Sequence, residues 1–131
     1  MRLLLDTRAL LWFYLGDPQL SPTALAAIVD PDNDKAVSPA SFWEIAIKLS
    51  IGKYALYEPY DDFIQHAIHD NGFDILAIEP SHTSALVALP FHHKDPFDRI
   101  LIAQAAAEDL ILLTTDAKIP RYASERFRVL S

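Results

Sequence analysis

Apolar residues fall in short blocks along this chain, each closed by a polar, proline or glycine signal. Leu3-Leu4-Leu5 is an unbroken apolar run that stops on Asp6, which predicts a buried strand over 2–6. Helical spacing follows over 7–15 and ends near Gly16-Asp17-Pro18. "SPTALAAIV" predicts a second helix over 21–29, with Ser21 as cap and Pro22 in the first turn. Residues 31–35 read as a loop and 36–38 as a short strand. "SPASFWEIAIKLSIGK" opens a third helix in the same Ser-Pro manner, and Gly52 closes it. An amphipathic helix is expected over 59–72, a strand over 73–78, and a helix over 80–89 stopped by Pro90. The segment 95–109 is a helix that is apolar nearly all round and therefore buried. An apolar strand over 110–115, a short helical segment from Asp116 and a last strand over 126–130 complete the chain. Strands alternating with helices predict one α/β domain, residues 1–131, with a five-stranded, mainly parallel sheet and helices on both faces. In such sheets the functional crevice lies outside the carboxyl ends of the strands.

Composition supports a folded core: 51% of the 131 residues are apolar. The absence of cysteine excludes disulfides and thiolate metal sites and fits a reducing, cytoplasmic setting. No apolar run approaches the roughly 18 residues of a membrane span, and Asp6 and Arg8 interrupt the N-terminal stretch where a secretory leader would be apolar. The net charge of −7 argues against a nucleic-acid partner taken alone. The charge is uneven, however, with 5 basic and 12 acidic residues over 1–93 but 6 of each over 94–131. Acids that hold divalent cations would reduce the repulsion a phosphate chain meets.

Four acids stand where chemistry could be placed, and each has a structural alternative. Asp6 ends the first strand and could simply cap the helix at Thr7. Glu44 completes a Ser41-x-x-Glu44 capping box, or, if Ser38 is the cap, an i,i+4 pair with Lys48. In "DPFD", Asp95 is the natural cap, while Asp98 falls near the positive end of the helix dipole and is less fully explained by that role. Asp116 follows "LILLTT" and could cap the next segment. Together they are more than caps, because in a parallel sheet all four can fall on one edge. Carboxylates gathered there would repel each other, and a divalent cation with oxygen preference, Mg²⁺ or Mn²⁺, would relieve the repulsion.

"LLDTRALLW", "SPASFWEIAIKLSIGK", "HKDPFDRILIAQA" and "LILLTTD", in that order and over nearly the whole chain, resemble a PIN-domain ribonuclease, specifically a VapC-like toxin of a toxin–antitoxin pair. The resemblance implies that Asp6, Glu44, Asp98 and Asp116 take the acidic catalytic positions, with Asp6, Asp98 and Asp116 as metal ligands and Thr114 as the nearby hydroxyl. Asp95 becomes an additional acid, a cap that could also support the ligands from behind. The implied chemistry is hydrolysis of RNA phosphodiester bonds assisted by Mg²⁺ or Mn²⁺, with Glu44 either a ligand or the group that orients the water. Arg8, Lys48 and Arg99 are the leading candidates for phosphate contacts, with Lys53, Lys94, Lys118 and Arg121 behind them. The implied partners are RNA, a second copy of the chain, and a VapB-like antitoxin whose C-terminal segment would lie in a groove beside the early helices.

Other features are weighed against this. Neither His92-His93 nor His66/His69 has a partner set of known spacing, so no histidine metal site is expected. "LLWFYL" carries more apolar bulk than one buried helix face uses, which leaves part of it for a partner. A phospho-receiver-like domain would also place acids at one edge of a parallel sheet. It requires paired acids after the first strand and a phosphoacceptor after the third, which this chain lacks. A PIN-like scaffold serving only as a binding module is the other alternative.

Overall fold

β1 (Arg2–Leu5) is the hub of the fold, and its three leucines are sealed on both sides. In the computed structural model, which describes residues 1–124 and 127–131, β1 pairs in parallel with β2 (Asp34–Val37) on one flank and with β4 (Ile111–Leu113) on the other. β3 (Asp74–Ile75) adds to β2, and β5 (Arg128–Leu130) adds to β4, again in parallel. The five-stranded order is β3-β2-β1-β4-β5. Receiver domains run 2-1-3-4-5, so the sheet order removes that alternative.

Side chains alternate across a strand, and the two cores divide accordingly. Leu3 and Leu5 face a core built with α1 (Thr7–Leu15), α2 (Pro22–Val29), Ile45 of α3 (Pro39–Ser50) and Phe63 of α4 (Tyr60–Ile64). Leu4 and Leu112 face the other, built with Leu101, Ile102 and Ala105 of α6 (Pro96–Ala107) and with Ile119 and Tyr122 of a single 3₁₀ turn, Ile119–Tyr122. α5 (Pro80–Val87) packs along α6.

The caps follow local chemistry. Ser21 accepts from the Ala24 amide and Ser38 from the Ala40 amide, each with proline in the first turn. Gly16 closes α1 in the left-handed conformation at φ 67°, where a side chain would be strained. Because Ser38 is the cap of α3, the Ser41–Glu44 capping box does not form. Ser41 instead accepts a hydrogen bond from the Thr7 hydroxyl at 2.9 Å, tying α3 to α1.

Several elements depart from expectation, among them the strand expected over 110–115, which is regular only over Ile111–Leu113. Asp34 and Lys35, expected in a loop, are drawn into β2 by pairing with Arg2 and Leu3. The helix expected over 59–72 is regular only to Ile64 and continues as a π-helical turn over Gln65–His69. The strand expected over 73–78 shrinks to two residues. The Leu76 amide still donates to the Val37 carbonyl at 2.9 Å, but the Leu76 and Ala77 carbonyls accept from buried Gln104 of α6, so a side chain takes over from the ladder there. The first residue of the expected last strand, Arg126, lies outside the described residues; Arg128–Leu130 are strand. No helix among the described residues is long and apolar enough to cross a membrane.

Candidate acidic active site

The register of the sheet sets the site. Leu5 pairs with Leu113, and one residue further the Asp6 amide donates to the Leu113 carbonyl. Asp6 thus stands beside Thr114, 108 positions away, at the carboxyl edge of β1 and β4. Its carboxylate is almost fully buried and held at three points. Oδ1 accepts from the Ala9 amide at 2.7 Å, so Asp6 does cap α1. Oδ2 accepts from the Thr114 hydroxyl at 2.7 Å and from the Thr115 amide at 3.1 Å. An ionised carboxyl has about four acceptor directions, so three donors leave one for a ligand. Burial raises the pKa of Asp6; the hydrogen bonds from Ala9, Thr114 and Thr115 and the charge of Arg8 oppose it.

The other acids arrive from three directions. Glu44 comes from the first half of α3, where Lys48 donates to its Oε2 at 2.8 Å and to the Tyr54 hydroxyl at 3.3 Å. Burial opposes the Lys48 charge, but these hydrogen bonds prevail and its pKa is raised. Asp95 caps α6, accepting from the amides of Phe97 at 2.9 Å and Asp98 at 3.2 Å. Asp98 is in the first turn of α6, and Asp116 follows β4, its amide donating to the Thr114 hydroxyl at 3.1 Å. Asp6, Glu44, Asp95, Asp98 and Asp116 line one cleft with Thr7, Arg8, Lys48, Tyr54 and Thr115. The cleft encloses about 110 Å³, well under the roughly 300–1,000 Å³ of a pocket for a drug-sized ligand. It has room for a cation and a few waters.

The cost of this gathering is visible at Asp98, whose pKa is pushed up to about 7, first by burial and then by the charges of Asp95, Asp6, Asp116 and Glu44. The donor set is hard oxygen, and the Thr115 hydroxyl in the cleft wall is buried with no protein partner. The residues fit a divalent cation with oxygen preference. Among the described residues, Asp98, Asp116 and His93 form a group of potential ligands whose donor atoms lie within 4.8 Å of one another. The sequence offers His92-His93 no partner set of known spacing; the fold brings His93 to Asp98 and Asp116, so a histidine joins the candidate ligands after all.

One expected phosphate contact is corrected. Arg99 is buried, and its guanidinium donates to the carbonyls of Leu89 and Pro90 and to the Tyr122 hydroxyl while stacking over Phe91. It points into the 89–93 loop rather than the cleft, because a helix turn puts residues 98 and 99 on different faces. Arg8 and Lys48 do line the cleft.

A parallel sheet with an acidic crevice at its carboxyl edge defines the class: an α/β protein built to concentrate negative charge at one rim. The PIN domain family model matches residues 3–125, and the chain belongs to that family. No curated protein sequence matches it. Among solved structures, it is similar to VapBC2 from Rickettsia felis bound to a promoter DNA fragment, at 15% identity and a TM-score of 0.72, covering 99% of this chain and 98% of that one. It is similar to FitAcB from Neisseria gonorrhoeae at 17% identity and a TM-score of 0.69, covering 98% and 96%. A toxin–antitoxin complex from Klebsiella pneumoniae matches at 23% identity and a TM-score of 0.66, covering 98% and 95%.

Proposed function

We propose that this chain is a divalent-cation-dependent endoribonuclease, the VapC-like toxin of a toxin–antitoxin pair acting on RNA in the cytoplasm. The convergence of five carboxylates on one cleft in a PIN domain carries this reading. Asp6, Asp98 and Asp116 would hold Mg²⁺ or Mn²⁺, which when bound polarises the phosphate and makes water a competent nucleophile at neutral pH. Asp6 is suited to this because the Ala9, Thr114 and Thr115 donors fix its oxygens before any ligand arrives. Glu44, with Oε2 engaged by Lys48, orients the attacking water through its other oxygen. Arg8 and Lys48 at the cleft wall meet the phosphate chain. Each divalent cation held raises the net charge from −7 by two, which eases the approach of RNA.

The antitoxin reading is supported by a groove lined by Leu11, Trp12, Leu15, Ala55 and Leu56, which shares Arg8 and Tyr54 with the acidic cleft. A VapB-like segment laid there would cover the apolar side chains of α1 and shut the cleft. VapBC2 and the toxin–antitoxin complex from Klebsiella pneumoniae are structural neighbours that favour such a partner. A homodimer is part of the same proposal.

The test is cleavage of single-stranded RNA by the purified chain with Mg²⁺ or Mn²⁺, beside Asp6→Asn. Activity should fall by about 100-fold or more, since even an outer partner of a metal ligand is worth roughly 10–100-fold. Equal cleavage by both proteins, or cleavage that persists in EDTA, would sink the proposal.

A further inference from the structure

His93 lies outside the four-acid set, yet its ring is directed at it. The side chain is 8% exposed, and Nε2 is buried with no hydrogen-bond partner. Nε2 stands 3.8 Å from Asp98 Oδ2, too far for a direct hydrogen bond, and the Asp116 carboxylate is within 4.8 Å of both. A buried polar atom left without a partner costs about 1–3 kcal/mol. One cation placed among these three donors would satisfy the nitrogen and relieve the repulsion between the two carboxylates together.

The rest of the ring is held for this purpose. Nδ1 lies 3.2 Å from the Tyr122 hydroxyl, and that hydroxyl also accepts from Arg99 Nη1 at 3.1 Å. Arg99 is anchored in turn on the Pro90 carbonyl at 2.8 Å. The His92 and His93 amides also donate to the Tyr122 oxygen, at 3.1 and 3.2 Å, so a cation on Nε2 is what would hold the ring proton on Nδ1 and turn the Tyr122 O–H to the His93 carbonyl at 3.4 Å. A second polar group that fixes the orientation of the ring is what a ligating imidazole requires. It also gives Arg99 and Tyr122 a role that phosphate binding does not.

We propose that His93 Nε2 is a direct ligand, with Asp98 and Asp116, of the cation bound in this cleft, making it a mixed nitrogen–oxygen site that favours Mn²⁺ over Mg²⁺. This rests on the acidic cleft being a cation site. Mg²⁺ is bound by oxygen, whereas imidazole contributes more along the transition-metal series.

The experiment uses the purified full chain, the metal alone, and no RNA. Pulsed EPR of the Mn²⁺-loaded protein should show coupling to a directly bound ¹⁴N nucleus, converted to the ¹⁵N pattern when histidine is ¹⁵N-labelled. By calorimetry, His93→Gln should weaken Mn²⁺ binding about 10-fold or more and Mg²⁺ binding no more than about twofold, with the circular dichroism spectrum unchanged. Mn²⁺ bound without nitrogen coupling would overturn the His93 assignment and leave the acidic site standing; this is also the result if only a water joins Nε2 to the carboxylates. No Mn²⁺ binding at all would overturn both. The wild-type spectrum decides the matter even if the variant fails to fold.

Discussion

At the scale of single residues, the site is a set of carboxyls whose protonation and hydrogen bonding are set by neighbours. Asp98 titrates near 7 in the folded chain against about 3.8 for an ordinary aspartate, for reasons of burial first and then of surrounding acids. Between those values the native state holds a proton that the unfolded chain has released. Stability from this group is therefore present at low pH and declines as pH rises through about 7. In EDTA, Asp98→Asn should melt at a higher temperature than the parent at pH 8, and the difference should narrow toward pH 5; a constant difference across that range would contradict the assignment. Thr114 works in the opposite direction, since its hydroxyl stabilises the charged form of Asp6. Thr114→Val keeps the shape and deletes the donor. It should cost about 1–3 kcal/mol in urea unfolding and weaken cation binding.

At the scale of elements, all the cleft acids but Glu44 are presented by helix starts and strand ends, the places where a rigid backbone meets an open edge. Asp6 joins β1 to α1, Asp95 and Asp98 open α6, and Asp116 follows β4. Most of these junctions are legible in the chain, because Ser-Pro and Asp-Pro pairs and apolar runs act locally. The loop 89–93 is not, since its position depends on buried Arg99 reaching back from α6 to the Leu89 and Pro90 carbonyls. Arg99→Ala should destabilise the fold by about 1.5–3 kcal/mol, the value of hydrogen bonds to a charged group, measured by urea titration. In an Asp6→Asn background it should leave the salt dependence of RNA binding unchanged. A reduced salt slope would restore Arg99 to the phosphate contacts.

For the whole molecule, charge and surface decide what can approach. On the proposed reading, RNA approaching a chain of net charge −7 would meet a repulsive field, which the basic side chains of the cleft and any bound cations would help to offset. Arg8→Ala, again in the Asp6→Asn background, should weaken RNA binding across sequences. It should also lower the slope of log K against log salt by about 0.7, the share of one single-strand phosphate. A fluorescence-anisotropy titration at several salt concentrations reads both effects.

What the sequence determined by itself was whatever depends on neighbours along the chain. That includes the order of strands and helices, the caps at Ser21 and Asp95, and the apolar runs of β1 and β4; at α3 it offered two caps, and the structure chose Ser38 and with it the pairing of Glu44 with Lys48. The tertiary structure alone decided register and facing: that Asp6 meets Thr114, that β3 gives way to Gln104 after two residues, that Arg99 turns inward, and that His93 faces Asp98 and Asp116. The physical reason is the range of the forces involved. Capping and periodicity are settled within a turn or a strand, whereas the meeting of Asp6 and Thr114 is fixed by sheet pairing and core packing between segments more than a hundred residues apart.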